Sequence, residues 1–345
     1  MLSGAALFNA ASQDGRRVVF SSRRPLARGD RDRELDVYLR AGRKTILLSS
    51  GGGAGEAGEK VLFAGATPDA RSVLFRTADS LTAEDGDASL DLYRRGPLGL
   101  DLVSAGPGEP GALAILRFGA VSDDGSRVFF VSGDPLAAND DDLYADVYEY
   151  RAGRVKLISL GLSAGARFVA AAADGSRVLF STNVALAPAD TDGNREDVYE
   201  YRDEAITLIS EGGGADSCPE AISLRPGCPI EASLASADAS RFFFQTVDRL
   251  SPQDRDSSRD VYAHGPNGLQ LISTGPADRQ GAGASLAAIS PDGRRAFFVS
   301  GETFGLSGDR YCALFERRAG RTSLASVTPR GPVSIPGCEP EEVLV

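Results

Sequence analysis

Residues 290–298 read Ser-Pro-Asp-Gly-Arg-Arg-Ala-Phe-Phe, a turn followed by an apolar strand. Gly adopts the positive φ that tight turns require, and Asp favours turns because its side chain bonds the backbone two residues on. Variants of this phrase recur every 50 to 64 residues, with the turn aspartate at Asp14, Asp69, Asp124, Asp174, Asp238 and Asp292. The chain of 345 residues therefore contains six diverged copies of one structural unit.

Each copy contains four predicted strands, which we label A to D in chain order. Strand A is short and apolar, the turn follows it, and strand B has a core such as Val128-Phe129-Phe130. Strand C opens with Asp, an aliphatic residue and Tyr in five copies, at Asp36, Asp91, Asp146, Asp197 and Asp260. The sixth copy has Ala313-Leu314-Phe315 in that place. Strand D ends on Ser after apolar residues in every copy, as in Leu157-Ile158-Ser159.

The pattern within the strands indicates the architecture. Runs such as Val-Phe-Phe do not alternate with polar residues, so both faces of each sheet are expected to be covered. A four-stranded antiparallel sheet that copies of itself cover on both faces is a propeller blade. The sequence therefore predicts an all-β fold, a six-bladed β-propeller of four-stranded antiparallel blades. We expect a single propeller domain over residues 1–345, with blades at roughly 6–50, 61–105, 114–160, 166–211, 231–274 and 284–328 and a C-terminal tail at 329–345.

The repeated phrase resembles that of the TolB-like six-bladed β-propeller family, whose WD-like repeats carry a Ser-Pro-Asp-Gly turn, an apolar strand and then Asp-Ile/Val-Tyr. Residues 290–293 match this turn in full, residues 67–69 match it in part, and the resemblance covers nearly the whole chain. It implies the propeller fold and, since such propellers mostly bind partners or gate access to an enzyme carried elsewhere, a binding function. TolB itself has an extra N-terminal domain that is not seen in this sequence, so its role in the cell envelope is not carried over.

Charge and hydropathy restrict the partners. The formal net charge is −11, and an acidic surface repels phosphate backbones, so we expect no nucleic-acid partner. No run approaches the roughly 20 apolar residues that cross a bilayer, so we expect no transmembrane segment. Residues 1–12 lack the basic segment and long apolar core of a signal peptide, and we interpret residues 6–12 as a strand.

Four cysteines and one histidine restrict the chemistry. They show neither the clustering of a zinc site nor a Cys–His pair, and we predict no catalytic residue. An even number of cysteines favours disulfides, for which we expect Cys218–Cys228 and Cys312–Cys338, and an extracellular, cell-surface or periplasmic location. The alternative is four buried free thiols. The lone histidine, His264, is placed just after strand C of the fifth copy and is given no role.

The connections differ in length between the two ends of each predicted blade. The A–B and C–D turns are short, whereas the B–C loops and the D–A connections are long. In an antiparallel sheet the two long connections lie at the same end, which we call the loop end; the other is the turn end. Long loops on a rigid scaffold are where binding commonly occurs, so we expect a protein or a small ligand at the loop end. We expect the chain to be a monomer.

Five of the B–C loops carry the pattern Asp-x-Asp-x-x-x-Asp or a close variant of it. The four regular sets are Asp30, Asp32 and Asp36; Asp85, Asp87 and Asp91; Asp140, Asp142 and Asp146; and Asp254, Asp256 and Asp260. The fourth loop has one extra residue and offers Asp190, Asp192, Asn194 and Asp197. The sixth loop keeps only Asp309.

Two interpretations of the acidic loops stay open. Hard cations such as Ca²⁺ bind clustered oxygens on a sharply turning loop. The fourth loop resembles the first half of an EF-hand or dockerin-type calcium loop without its distal Glu, so we expect Ca²⁺ there first, and at the first and fifth loops next. The alternative is a set of structural turns, in which the last Asp of each set pins the loop to strand C.

The leading functional hypothesis is a non-catalytic, exported propeller that acts as a binding or protein-interaction scaffold through its loop end. The alternative is a hydrolase or lyase that acts on a carbohydrate or peptide near the central channel, because a pair of carboxylates can perform glycosidic chemistry. Against the alternative, the acidic residues repeat from copy to copy, whereas a catalytic pair should break the repeat. Strand A, which lines the channel of a propeller, is also bland, as in Ala170-Ala171-Ala172.

Overall fold

The computed structural model describes residues 6–50, 60–106, 115–160, 164–191, 196–210, 231–275, 283–302, 304, 312–328 and 331–332. Regular structure in these ranges is entirely β, with six four-stranded sheets and one short two-stranded sheet. The prediction of an all-β, six-bladed propeller of four-stranded antiparallel blades is confirmed. None of the described residues belongs to a helix that could cross a bilayer.

The chain divides into two compact units, and the predicted single-domain boundary stays a prediction. The first unit comprises Met1–Phe168 with Ala173–Gly175, and the second comprises Val169–Ala172 with Ser176–Val345. Within every four-stranded sheet the strands are ordered A-B-C-D, as they occur along the chain. Consecutive strands are therefore joined by short hairpins or loops, which places the B–C loop and the end of strand D at the same end of each sheet.

Blades 1 to 3 belong to the first unit. Blade 1 contains β1 (Leu7–Ala11), β2 (Arg17–Ser22), β3 (Asp36–Ala41) and β4 (Lys44–Leu47). Blade 2 contains β5 (Leu62–Ala66), β6 (Val73–Thr77), β7 (Asp91–Gly96) and β8 (Gly99–Leu102). Blade 3 contains β9 (Leu116–Val121), β10 (Arg127–Ser132), β11 (Asp146–Arg151) and β12 (Arg154–Leu157).

Blades 4 to 6 lie in the second unit, apart from the first residues of β13. Blade 4 contains β13 (Ala166–Ala171), β14 (Arg177–Thr182), β15 (Asp197–Arg202) and β16 (Ala205–Leu208). Blade 5 contains β17 (Glu231–Ala235), β18 (Phe242–Thr246), β19 (Asp260–Gly265) and β20 (Gly268–Leu271). Blade 6 contains β21 (Ala284–Ile289), β22 (Arg295–Ser300), β23 (Ala313–Arg318) and β24 (Arg321–Leu324), followed by the pair β25 (Val327–Thr328) and β26 (Gly331–Pro332).

The apolar runs of strand B form the cores between neighbouring blades. In the first unit, Val128 and Phe130 of blade 3 pack in one buried cluster with Leu74 and Leu92 of blade 2. Phe129, between them in sequence, is equally buried on the opposite face of the strand. Burying a side chain of this size contributes about 1.5–3 kcal/mol, so each blade depends on its neighbours for stability. Because both faces of strand B are buried, its apolar residues do not alternate with polar ones.

Strand A is bland because its backbone approaches the next blade closely. A Cβ at Gly65 would lie 2.5 Å from the ring of Phe118, and one at Gly119 would lie 2.7 Å from the ring of Phe168. Gly65 and Phe118 lie in blades 2 and 3, and Phe168 is one of the first residues of β13, which belong to the first unit together with Gly119. Glycine is therefore required at these points by packing, which explains why strand A offers few side chains of its own.

The turn end is built from one repeated capping arrangement. In blade 3, Ser122 Oγ donates to Asp124 Oδ1 at 2.6 Å and accepts from the backbone N–H of Arg127 at 3.0 Å. Asp124 Oδ1 also accepts from the backbone N–H of Ser126 at 2.9 Å. The residue directly after the turn aspartate has a positive φ in all six copies. In the two copies without the predicted Gly, Ala70 (φ 50°) and Ala239 (φ 46°) adopt this strained conformation.

Candidate functional site in the acidic loops

The three aspartates of each regular loop converge. In blades 1, 2, 3 and 5, one carboxylate oxygen from each of the three lies within 4.8 Å of the other two. The first aspartate of each set is buried, with 7 to 9% of its surface exposed: Asp30, Asp85, Asp140 and Asp254. The sequence predicted that these residues are neighbours, and the structure brings them together.

The first aspartate of each set bonds the buried tyrosine of strand C. Tyr148, whose side chain is completely buried, donates its hydroxyl proton to Asp140 Oδ2 and accepts the backbone N–H of Leu136 at 3.4 Å. The same hydroxyl–carboxylate bond is made by four further pairs: Tyr38–Asp30, Tyr93–Asp85, Tyr199–Asp190 and Tyr262–Asp254. One phenol therefore holds both the start of the loop and its first carboxylate.

The third aspartate of each set bonds the serine at the end of strand D. Asp146 Oδ1 accepts from Ser159 Oγ, which in turn accepts the backbone N–H of Val147 at 3.0 Å. The equivalent pairs are Asp36–Ser49, Asp91–Ser104, Asp197–Ser210 and Asp260–Ser273. The last Asp, which is the first residue of strand C, thus links the start of that strand to the serine two residues beyond the end of strand D.

The middle aspartate makes an Asx turn. Asp142 Oδ1 accepts from the backbone N–H of Tyr144 at 2.7 Å, and the middle aspartates of blades 1, 2 and 5 bond the residue two positions on in the same way: Asp32, Asp87 and Asp256. The backbone N–H of Asp142 also donates to Asp140 Oδ1 at 3.3 Å. All three aspartates therefore stabilise the loop as turn residues while one carboxylate oxygen of each lies within 4.8 Å of the other two.

Burial makes the third aspartate costly to ionise. Burial raises the pKa of Asp146 to about 7, and the charges of Asp140 and Asp142 add to the rise, against the lowering effect of the Ser159 bond. The pKa of Asp91 is raised to about 7 by burial and by its acidic neighbours in the same manner. Burial also raises the pKa of Tyr148 well above its ordinary value, so the phenol stays protonated and acts as a donor.

One carboxylate oxygen in this group is left over. Asp146 is completely buried, and its Oδ2 has no hydrogen-bond partner among the residues that the structure describes. A buried anionic oxygen without a partner costs free energy unless a proton or a cation compensates it. Asp190 Oδ1 in blade 4 is buried without a hydrogen-bond partner among the described residues in the same way.

The loops differ in the cationic side chains that they carry. Residues 78–90 of blade 2 and 133–145 of blade 3 contain no Lys or Arg. The blade 1 loop holds five arginines: Arg23, Arg24, Arg28, Arg31 and Arg33. The blade 5 loop holds three: Arg249, Arg255 and Arg259. The acidic loops of blades 2 and 3 are consequently the uncompensated ones in this series.

The blade 3 loop also exposes large apolar side chains. Leu143 is 72% exposed and Tyr144 is 52% exposed, directly after the three consecutive aspartates Asp140, Asp141 and Asp142. Ile115, just before β9, is also exposed, and a Cβ at Gly133 would lie 3.7 Å from the Ile115 Cβ and 3.8 Å from the Leu143 carbonyl oxygen. The loop end of blade 3 thus combines apolar and acidic groups in one small area.

The fourth and sixth loops depart from this arrangement in different ways. In blade 4, Asp190 and Asp197 make the expected bonds to Tyr199 and Ser210, whereas Asp192 and Asn194 lie outside the described residues. In blade 6 the aspartate and tyrosine of strand C are replaced by Ala313 and Phe315. There Ser326 Oγ still accepts the N–H of Leu314 at 3.2 Å, and the ring of Phe304 packs edge-on against Phe315 with centroids 5.0 Å apart. Asp309 lies outside the described residues.

The cysteine and histidine predictions have mixed outcomes. Cys312 is buried and takes part in a disulfide. The predicted partner Cys338 and the pair Cys218 and Cys228 lie outside the described residues, so both pairings stay predictions. His264 lies inside β19, one residue before its end, rather than just after strand C as the sequence suggested.

Comparison with known proteins finds distant structural neighbours only. No family model matches the chain, and no curated protein matches it. A prolyl endopeptidase structure is 16% identical with a TM-score of 0.48, and the match covers 93% of this chain and 42% of that one. The putative TolB from Agrobacterium tumefaciens is 13% identical with a TM-score of 0.40, over 78% of this chain and 80% of that one. The propeller domain of the Trilobed protease from Pyrococcus furiosus is 11% identical with a TM-score of 0.30, over 92% and 97%.

All three structures have TM-scores below 0.5 with this chain. The chain spans less than half the length of the prolyl endopeptidase. Similarity at this level does not determine function. The function has to be argued from the site.

Proposed function

We propose that this protein is a non-catalytic, exported binding propeller whose loop end at blade 3 binds a segment of another protein that carries basic and apolar side chains. The observation that carries the proposal is the exposure of Leu143 and Tyr144 on a loop that contains five aspartates, counting Asp146 at its end, and no Lys or Arg. Exposed apolar side chains in a polar rim are typical of protein interaction sites.

The loop is held in place before any partner binds. Tyr148 fixes Asp140, Ser159 fixes Asp146, and Asp142 closes the turn that presents Tyr144. A surface that is already ordered loses little conformational entropy on binding, and this raises affinity for a given contact area. Tyrosine is also among the residues enriched at interface centres, since it offers a large ring and a polar hydroxyl.

Charge complementarity selects the partner. A loop with unbalanced negative charge attracts a basic segment, speeds its association and disfavours acidic competitors. The apolar side chains of Leu143 and Tyr144 then require apolar groups between the basic ones. The disulfide at Cys312 supports an exported location, because disulfides persist in oxidising compartments. The repeated turn phrase, with Ser-Pro-Asp-Gly in full at residues 290–293, supports a TolB-like propeller. We propose that the protein is a monomer.

Catalysis would need different carboxylates. A hydrolase or lyase requires two carboxyl groups that exchange protons with a substrate. In blades 1, 2, 3 and 5 the first and third aspartates instead accept bonds from a buried tyrosine and a buried serine, which commits them to the loop. This use of the acidic groups favours the binding function over the alternative.

The proposal can be tested by selecting random 12-residue peptides on the immobilised full chain. We expect the selected peptides to combine Lys or Arg with aromatic or aliphatic residues. A representative peptide should lose at least tenfold in affinity for Leu143→Ser and for Tyr144→Ser, and its binding should weaken as salt is raised. Leu98→Ser is the matched control, because Leu98 is completely exposed in the β7–β8 turn at the opposite end of a blade.

Two results would contradict the proposal. One is a set of selected peptides without enrichment in basic residues. The other is equal binding by Leu143→Ser, Tyr144→Ser and Leu98→Ser, which would place the binding surface elsewhere. Circular dichroism of each variant verifies that the propeller is intact, and surface substitutions of this kind change stability by no more than about 0.5 kcal/mol.

A further inference from the structure

We infer that the blade 3 loop is a calcium site in which Asp140, Asp142 and Asp146 supply the carboxylate ligands. This goes beyond the proposed function, since Leu143 and Tyr144, the side chains offered to a partner, are not ligands, and neither is the exposed Asp141, which still offers negative charge to a basic segment. Calcium at the fourth loop stays a prediction, because Asp192 and Asn194 lie outside the described residues.

The ligand set has the composition that Ca²⁺ requires. Calcium takes six to eight oxygen ligands and accepts carboxylates, backbone carbonyls and water in a flexible geometry. One oxygen from each of Asp140, Asp142 and Asp146 lies within 4.8 Å of the other two, which is the separation that ligands around one ion show. No nitrogen or sulfur ligand is present in this group, which disfavours zinc and other softer metals.

A second observation points to a ligand independently of the cluster. Asp146 is completely buried, and its Oδ2 has no hydrogen-bond partner among the described residues. Its other oxygen is occupied by Ser159, and this bond fixes the orientation of the carboxylate. A cation bound in the group would satisfy Oδ2 and remove the repulsion between the three carboxylates at once.

The neighbouring charges distinguish blade 3 from the other loops. The loops of blades 1 and 5 contain five and three arginines, whose positive charge weakens the attraction of these loops for a cation. In blade 2, Ser80 Oγ already donates to Asp85 Oδ1 at 3.3 Å, and Asp91 is only partly buried. Residues 133–145 of blade 3 contain no cationic side chain and no serine or threonine. Among blades 1, 2, 3 and 5, whose acidic loops the structure describes, blade 3 therefore provides the most complete site for a bound metal.

Calorimetric titration of the EDTA-treated full chain with CaCl₂ tests the inference. Asp142→Asn is the informative variant, because Asn keeps the acceptor for the Tyr144 N–H while it removes one charged ligand. Asp256→Asn is the matched control: Asp256 has the same position and the same Asx turn in blade 5, beside Arg255 and Arg259. We expect Asp142→Asn to bind one calcium equivalent fewer than the parent chain, and Asp256→Asn to bind as many as the parent.

Terbium provides a second readout that does not depend on heat. The chain contains no Trp, so a Tb³⁺ ion in this loop would be excited through tyrosine, and Tyr148 bonds one of the ligands directly. Emission should appear in the parent chain and in Asp256→Asn, fall at least fivefold in Asp142→Asn, and be displaced by excess Ca²⁺. The inference is overturned if the parent chain binds no calcium, if Asp142→Asn keeps the parent stoichiometry, or if Asp256→Asn loses the same equivalent.

Discussion

The two ends of a blade use the same pair of side chains to opposite electrostatic effect. At the turn end of blade 3, Asp124 accepts from Ser122, is exposed, and has its pKa lowered to about 2, chiefly by that hydrogen bond. At the loop end of the same blade, Asp146 accepts from Ser159, is completely buried, and has its pKa raised to about 7 by burial. A serine hydroxyl is present in both pairs, so burial and neighbouring charges cause the difference.

This comparison separates structural aspartates from candidate ligands. An aspartate whose charge is already stabilised by solvent and donors needs no cation, and it serves the turn alone. An aspartate that is buried next to two other carboxylates needs either a proton or a cation. The sequence motif gives the exposed and the buried aspartates the same interpretation, as turn residues. Their burial and neighbouring charges distinguish them.

The largest expected effect is a fall in the stability of the calcium-free protein as pH rises from about 4 to about 7. In calcium-free protein, the folded-state pKa of Asp146 lies near 7 and its unfolded value near 3.8, so the folded state binds the extra proton between these values. The stabilisation is full below about pH 4 and is lost as pH rises to about 7. The free energy of unfolding should fall by up to about 4 kcal/mol over this range. Urea unfolding in EDTA at pH 5 and pH 8 measures it, and Asp146→Asn should reduce the loss.

The turn end should respond in the opposite direction and in another pH window. Asp124 and Asp238 have pKa values lowered to about 2, so their contribution is present above about pH 4 and is lost between about pH 4 and pH 2. A stability profile that rises steadily from pH 4 to pH 8 in EDTA would contradict the assignment of a buried, uncompensated carboxyl to blade 3.

The next effect is smaller and concerns the buried phenol. Tyr148→Phe removes the phenol donor of Asp140 Oδ2 and leaves only the Asp142 N–H on Oδ1, and a hydrogen bond to a buried charged group contributes about 1.5–3 kcal/mol. We expect the free energy of unfolding to fall by about 2 kcal/mol in urea titrations. Tyr144→Phe is the control, because Tyr144 is half exposed, and its change should stay below about 0.5 kcal/mol. Equal, small changes in both variants would show that the phenol does not hold the loop.

The smallest effect is expected at the turn end. Asp124→Ala removes the acceptor for Ser122 and for the Ser126 N–H, which should cost about 1 kcal/mol, as the loss of a helix cap does. Asp123→Ala, at the neighbouring exposed position, should be nearly neutral. Tyr148→Phe should lower the free energy of unfolding more than Asp124→Ala does, because Tyr148 is buried and Asp124 is exposed. A larger loss for Asp124→Ala in urea titrations would contradict this order.

Much of the architecture was predictable because it repeats. The strand pattern, the six units and the short turns follow from periodicity, since each blade solves the same packing problem. The Tyr–Asp bond was missed, although its signal is in the sequence: the two residues are eight positions apart in blades 1, 2, 3 and 5 and nine apart in blade 4. Blade 6 lost the strand C aspartate and the tyrosine together, with Ala313 and Phe315 in their places.

Other features could not be inferred from one chain. The positive φ of Ala70 and Ala239 depends on the surrounding turn, which overrides the preference of alanine. The burial of Asp146 Oδ2 without a partner among the described residues depends on the packing around it, which the sequence does not show. The sequence ranks the fourth loop first on its resemblance to calcium loops, and that ranking stays a prediction because Asp192 and Asn194 lie outside the described residues.

Anomalous scattering tests directly whether the acidic loop of blade 3 binds a cation. Crystals of the full chain grown with Tb³⁺, measured at a wavelength where terbium scatters anomalously, would locate each bound ion. We expect an anomalous peak about 2.3–2.6 Å from oxygens of Asp140, Asp142 and Asp146, the distance range of calcium ligands. Absence of a peak at blade 3, with or without peaks at the arginine-bearing loops of blades 1 and 5, would contradict it.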